Sequence, residues 1–309
     1  MKRYFFLLLF LLASCAPQTI LAPTANVAPS VTLPALTATS VPAATEIPPT
    51  ATSSPTETPV PCDPFTAEFC VTDGHFILRR PILPPDNDSV EGTYRFASTA
   101  GGTREAHHGV EFTNATGVPV HAAADGQVVF AGSDKDEAIY SPWKNFYGNV
   151  IVIEHAEGMF TLYAHLSKIE VEAGQEVESG QKIGEVGWTG GAIGSHLHFE
   201  TRRGDAADYF SALNPELWLA PREGEGALAI SILNLRGEFQ PAELTIQTDG
   251  KAYYIKTYAE KFSTMDENAA LGELKLGKYR ITFYFGGLFY ERWVEVQANM
   301  LTYVFFVIQ

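Results

Sequence analysis

Three short stretches of this 309-residue chain concentrate the side chains that do chemistry. In Ser195-His-Leu-His-Phe-Glu-Thr201 the alternation of an extended strand puts His196, His198 and Glu200 on one face and Leu197 and Phe199 on the other. Two imidazoles spaced this way stand about 7 Å apart and can serve one centre. The second stretch is His107-His108-Gly109-Val110-Glu111. Its glycine and β-branched valine argue against a helix, so His107 and Glu111 are expected to converge through a turn or extended segment. A third imidazole, His165, follows Thr161-Leu-Tyr-Ala and on a strand would share a face with Tyr163. Taken singly each is a weak signal, since a lone histidine is more often a hydrogen-bonded core or surface residue than a ligand. Together they are concentrated: seven of the eight histidines lie between His107 and His198. Three cysteines exclude a cysteine-rich zinc module, so any metal must be held by imidazole and carboxylate.

The elements around these residues read as β. From about 74 to 219 the chain repeats short β-branched runs bounded by Gly or Asp-Gly, such as Asp125-Gly126 before Gln127-Val-Val-Phe130 and Gly148-Asn149 before Val150-Ile-Val-Ile153. That spacing predicts a largely antiparallel β fold, and no long helical period competes with it.

With the motifs in place, His107-x-Gly-x-Glu111, Tyr163-Ala-His165-Leu and Gly194-Ser-His196-Leu-His198-Phe-Glu resemble, in order and spacing, the lysostaphin/LytM-type zinc metallo-endopeptidases of bacterial cell walls. Intervening stretches agree, among them Ala124-Asp-Gly126, Tyr147-Gly-Asn149 and Gly187-Trp-Thr-Gly190, and the resemblance covers roughly residues 90 to 219. It implies one zinc per chain held by His107, Glu111 and His198, with His165 and His196 as catalytic imidazoles. One of these takes a proton from the attacking water and the other stabilises the tetrahedral oxyanion. Three protein ligands with a fourth position open is the pattern of a catalytic zinc. The family pattern has Asp where this chain has Glu111, one methylene longer. The alternative is therefore a catalytically weak or inactive domain that binds the wall or activates another hydrolase. His108 reads as a solvent-facing neighbour, and His75, His121 and His155 carry no assigned role. Residues 171–184 also look like part of a lipoyl or biotinyl carrier, but Lys182 sits inside an expected strand rather than at a hairpin tip, and a carrier leaves the histidines unexplained.

Upstream, Lys2 and Arg3 precede an apolar run too short to span a bilayer, and Leu12-Ala13-Ser14-Cys15 resembles a bacterial lipobox. The expectation is a signal peptide over 1–14 and a lipid on Cys15 that anchors the chain to the cell membrane on the extracytoplasmic side. Residues 16–61 hold ten Pro and ten Thr and no Gly, so they bury no core and read as an extended linker, at most about 140 Å long. Over 62–89, Cys62 and Cys70 bracket a short loop and are expected to form a disulfide, contributing roughly 2–3 kcal/mol in the chain-entropy model.

The metallopeptidase domain is placed at 90–221. Downstream, strand-like segments at 227–235, 244–247, 253–258, 278–285, 291–296 and 302–308 predict a small β-sandwich over 222–309, with no histidine and no cysteine, which resembles the immunoglobulin-like or transthyretin-like accessory modules of secreted bacterial proteins. Its aromatics, including Tyr284, Phe289, Tyr290 and Trp293, are expected to pack in its core rather than stack on sugars. The fold class is thus all-β throughout. A net charge of -15 argues against a nucleic-acid partner. The partners expected are peptidoglycan peptides and, through the lipid, the membrane, with the chain a monomer.

Overall fold

The computed structural model describes residues 62–258 and 267–309. The expected signal peptide, Cys15 and the linker lie outside them. Among the described residues the regular structure is β, interrupted only by three single-turn 3-10 segments. In chain order the strands are β1 (Cys70–Thr72), β2 (Val110–Thr113), β3 (Pro119–His121), β4 (Gly126–Ser133), β5 (Asn149–Glu154), β6 (Met159–Ala164), β7 (Lys168–Ile169), β8 (Glu176–Val177), β9 (Lys182–Glu185), β10 (His196–Arg203) and β11 (Ala212–Leu213). The remainder are β12 (Glu225–Asn234), β13 (Glu243–Thr248), β14 (Lys251–Lys256), β15 (Ala269–Lys275), β16 (Gly277–Phe285), β17 (Leu288–Val296) and β18 (Leu301–Ile308).

The sheet that carries the histidines runs β11-β10-β6-β5-β4-β8, with β2 added to β10, and is antiparallel throughout. Its central strand explains the continuous apolar run Val150-Ile-Val-Ile153, because both of its faces are covered. Ile151 and Ile153 join one core with Val110, Phe112, Leu197 and Phe199, while Val150 and Val152 join another with Tyr147, Leu162 and Tyr209. Each fully buried side chain of this size contributes about 1.5–3 kcal/mol. The small sheet β3-β9-β7 covers the first core through Val120 and Ile183.

Two further four-stranded sheets, β1-β18-β12-β15 and β14-β13-β16-β17, enclose a third core of Leu228, Ile230, Ile246, Ile281, Val294 and Phe306, among others. All six strand-like segments expected after 226 are strands. The seventh, β15, has the composition Ala-Ala-Leu-Gly-Glu-Leu-Lys, with no β-branched residue to announce it. The pairing of β12 with β18 is parallel, an exception to the antiparallel rule elsewhere. β12 also presents two apolar faces: Leu228 and Ile230 face the third core, whereas Ala227 and Ala229 belong to the first, together with Ala270 and Leu301. Packing is therefore continuous across residue 221, and the described residues from 62 onward form one compact unit.

The segment before the histidines fastens the two parts. Cys62 and Cys70 are disulfide-bonded, β1 pairs with β18, Leu78 bridges Leu219, and Arg80 pairs with Glu273 at 2.5 Å.

Candidate metal centre and catalytic site

Strand register builds the site. In the antiparallel β2–β10 pair, Glu111 stands directly opposite His198, so their side chains rise from the same face. His107 lies three residues before β2 and folds back. Gly109 permits this: a Cβ there would stand 2.4 Å from the Phe199 carbonyl oxygen and 3.0 Å from a carbon of the His198 ring. The convergence of His107 and Glu111 through non-helical chain is thus as expected.

Three donor atoms meet at this point. His107 Nε2 lies 2.9 Å from Glu111 Oε1, His198 Nδ1 lies 3.1 Å from the same oxygen, and the two nitrogens are 3.2 Å apart. All three residues are buried. His107 donates its Nδ1–H to the Arg95 carbonyl and His198 its Nε2–H to Glu200, so each turns a lone pair toward the carboxylate. Three lone pairs at such distances repel unless a cation lies among them. A tetrahedral zinc with arms of about 2.0–2.1 Å has ligand–ligand edges near 3.3 Å, so the donor set and its spacing fit that ion. Glu111 Oε1 reaches both nitrogens, which shows how the longer side chain is accommodated. Its other oxygen, Oε2, is buried without a hydrogen bond, 3.1 Å from His196 Nε2 but outside bonding geometry. Without an ion among them, a protonated His198 takes the cation's part: burial alone would raise the Glu111 carboxyl, but that charge and hydrogen bonds from protonated imidazole nitrogens hold it well below the usual carboxylate range.

Two more imidazoles face this triangle. His196 donates from Nδ1 to the Gly194 carbonyl and His165 from Nδ1 to that of Thr189, so both keep Nε2 free of backbone contacts. Their rings lie 4.8 Å apart. Burial lowers both pKa values, that of His165 to about 3, so both are neutral. His165 does not continue the strand. It follows β6 in a left-handed conformation (φ 63°), which separates it from Tyr163. The Tyr163 hydroxyl instead accepts from Ala123 N in the core. Gly187 makes room for this bend, since a Cβ there would meet Ser167 N at 2.2 Å and the His165 carbonyl at 2.5 Å.

A buried polar network behind the triangle carries residues that sequence reasoning left without a role. Glu200 Oε1 accepts from His198 Nε2 at 2.9 Å and from the Tyr147 hydroxyl at 2.6 Å, and Oε2 accepts from Arg202 Nε at 2.7 Å. Burial opposes ionisation of Glu200, but the Arg202 guanidinium, with His198, holds it ionised. The signal for Arg202 was present: it is the next same-face position after Glu200. Asp134 accepts from the backbone N–H groups of Tyr147 and Gly148 and so fixes the loop bearing Trp143. Tyr94 stacks on the His107 ring at 4.1 Å. His108, read as solvent-facing, is buried. It stacks on Tyr209 and donates to that residue's carbonyl at 2.6 Å, and burial lowers its pKa to about 4. The site opens into a cavity of ≈ 700 Å³ bordered by Glu91, Tyr94, Arg104, Trp143, Phe146 and Ile193. Among the described residues, none of 62–89 lines it.

Residues 105–209 match the profile described as Peptidase family M23. The DD-carboxypeptidase/endopeptidase Mpg of Neisseria meningitidis serogroup B is 42% identical over 100 residues, covering 32% of this chain and 21% of that protein. The uncharacterized lipoprotein YgeR of Escherichia coli K12 is 37% identical over 120 residues, covering 38% of this chain and 43% of that protein. A solved structure described as a zinc containing peptidase from Vibrio cholerae is 32% identical, with a TM-score of 0.35, covering 43% of this chain and 40% of that one. Residues 105–209 are thus similar to Peptidase family M23, and the peptidoglycan DD-endopeptidase ShyA of Vibrio cholerae is 40% identical over 94 residues, covering 30% of this chain and 20% of that protein. The chain spans only 21% of the length of the first of these relatives.

Proposed function

We propose that the protein is a membrane-tethered zinc metallo-endopeptidase that hydrolyses peptide bonds in peptidoglycan, in the stem or in a cross-bridge. The observation that carries this reading is the convergence of His107, Glu111 and His198 donor atoms within 2.9–3.2 Å, with two neutral imidazoles beside them. His107, Glu111 and His198 hold one zinc. Bound there, zinc supplies Lewis acidity, lowering the pKa of a water toward about 7 and polarising a carbonyl. His165 and His196, oriented by the Thr189 and Gly194 carbonyls, do the proton work: one accepts a proton from the attacking water and the other stabilises the oxyanion. Glu200 fixes the His198 tautomer, and Trp143, Phe146 and Ile193 border the cavity and offer the peptide apolar contacts. A lipid on Cys15 tethers the chain outside the cytoplasm, and the Pro/Thr-rich linker over 15–61 lets the domain at 90–221 reach the wall. In this reading residues 222–309 form an immunoglobulin-like or transthyretin-like accessory module, and the chain acts as a monomer.

The test is zinc content by elemental mass spectrometry on the soluble fragment 62–309, purified without a metal-binding tag, followed by digestion of purified peptidoglycan. About one zinc per chain is expected, lost in His198→Ala and Glu111→Ala. His165→Ala and His196→Ala should keep the metal and lose turnover by about 10²–10⁴-fold. A folded protein that retains no zinc would instead favour a wall-binding or activator domain.

A further inference from the structure

The outer face of the β14-β13-β16-β17 sheet departs from the expectation that its aromatics pack inside. Tyr290 does stack on Phe283 at the third core, but Tyr284 is 73% exposed, Phe289 49% and Trp293 54%, and Tyr254 on β14 is 77% exposed. Register places these rings. Thr245 lies opposite both Tyr254 and Thr282, and Arg280 lies between Gln247 and Trp293. Tyr254 and Trp293 therefore stand on the two edge strands, about 14 Å apart across the sheet. The floor between them, Thr245, Gln247, Thr282 and Arg280 with its partner Glu291, offers hydroxyl and amide groups and an ion pair, and Thr245, Gln247, Arg280 and Thr282 are half-buried. Apolar ring faces at the rims over a hydrogen-bonding floor match a sugar ring, whose C–H face stacks on an aromatic while its edge hydroxyls bond to polar groups.

This face borders a cavity of ≈ 1670 Å³, larger than the roughly 300–1,000 Å³ of a small-molecule pocket. Ser89, Val90, Gly92, Thr93 and Arg95 also line it, and the same segment contributes Glu91 and Tyr94 to the metal-site cavity. One short stretch of chain thus separates the two cavities. Of the six Lys and Arg that line the larger one, Arg95, Arg222, Lys275 and Arg280 are paired with carboxylates, and Lys251 and Lys278 remain to face an anionic strand. That suits a strand carrying acidic peptides.

We propose that this sheet face and its cavity bind the glycan strand of the polymer whose peptides the metal site cuts, an inference that rests on the peptidase reading above. The test is retention of the detergent-solubilised full chain on insoluble wall glycan stripped of its peptides by an amidase. The wild-type chain should be retained, and Trp293→Ala and Tyr254→Ala should each weaken retention about tenfold, the scale of losing one buried aromatic anchor. Trp293→Phe should restore most of it, and the melting temperature should not move, since both rings are exposed. Failure of the wild-type chain to bind, or retention unchanged in both alanine variants, overturns the proposal. Cleavage of a soluble stem peptide, assayed separately, reports on the peptidase reading by itself, so the two can fail independently.

Discussion

Glu200 decides which nitrogen His198 offers to the proposed metal centre. Its carboxylate accepts the Nε2–H, so Nδ1 turns toward Glu111 and His107, and Arg202 and Tyr147 hold the carboxylate in turn. Such partners behind a ligand typically matter 10- to 100-fold in metal affinity. Glu200→Gln is accordingly expected to weaken zinc binding by about that factor, measured by competition with a chelator. It should also destabilise the fold by about 3–5 kcal/mol in denaturant unfolding, because Arg202 is left as an uncompensated buried charge. Unchanged zinc affinity would contradict the positioning role. At this scale the sequence was informative in part. The alternation through 196–200 grouped His196, His198 and Glu200 correctly, and one more step reached Arg202. It could not reveal Tyr147, which arrives from a loop 53 residues away.

Among the elements, β2 and β10 set the ligand geometry, and Gly109 sets how closely they approach. Any side chain there meets the Phe199 backbone, which cannot yield as a flexible side chain would. Gly109→Ala is expected to cost about 1–3 kcal/mol and to lower zinc occupancy, read together by thermal melting and elemental analysis. A variant that melts and loads zinc like the wild type would mean that the strands can separate without disturbing the site. Strand periodicity located β10 and β5 because β-branched and alternating residues mark them. It passed over β15, whose small and unbranched residues form a strand only because β12 offers an edge, and it carried His165 along β6 although the chain turns left-handed there.

Across the whole molecule, the first core joins the histidine-bearing sheet to β12, β15 and β18 through Ala227, Ala229, Ala270 and Leu301. The Arg80–Glu273 and Arg222–Asp88 pairs and the β1–β18 ladder tie the same parts together. Shared burial of this kind couples unfolding. Calorimetry on residues 62–309 should therefore show one cooperative transition. Two well-separated transitions, with the 222–309 portion melting alone, would contradict that coupling. The charged, Gly-rich stretch Pro221-Arg-Glu-Gly-Glu-Gly226 suggested a boundary near 221, but such a stretch reports only a change of chain direction. Whether packing crosses it depends on the second face of β12.

The sequence by itself determined the residue types of the centre, their order, the all-β class and the two faces of each strand, because these follow from local composition and a period of two. Tertiary structure decided what distance along the chain conceals. Glu111 came to stand opposite His198, 87 residues away, through antiparallel register, which only the assembled sheet fixes. The outward aromatics of β14, β16 and β17 were decided in the same way. Alternation divides a strand into two faces, but which face is covered depends on whether another layer packs there, and these rings stay exposed.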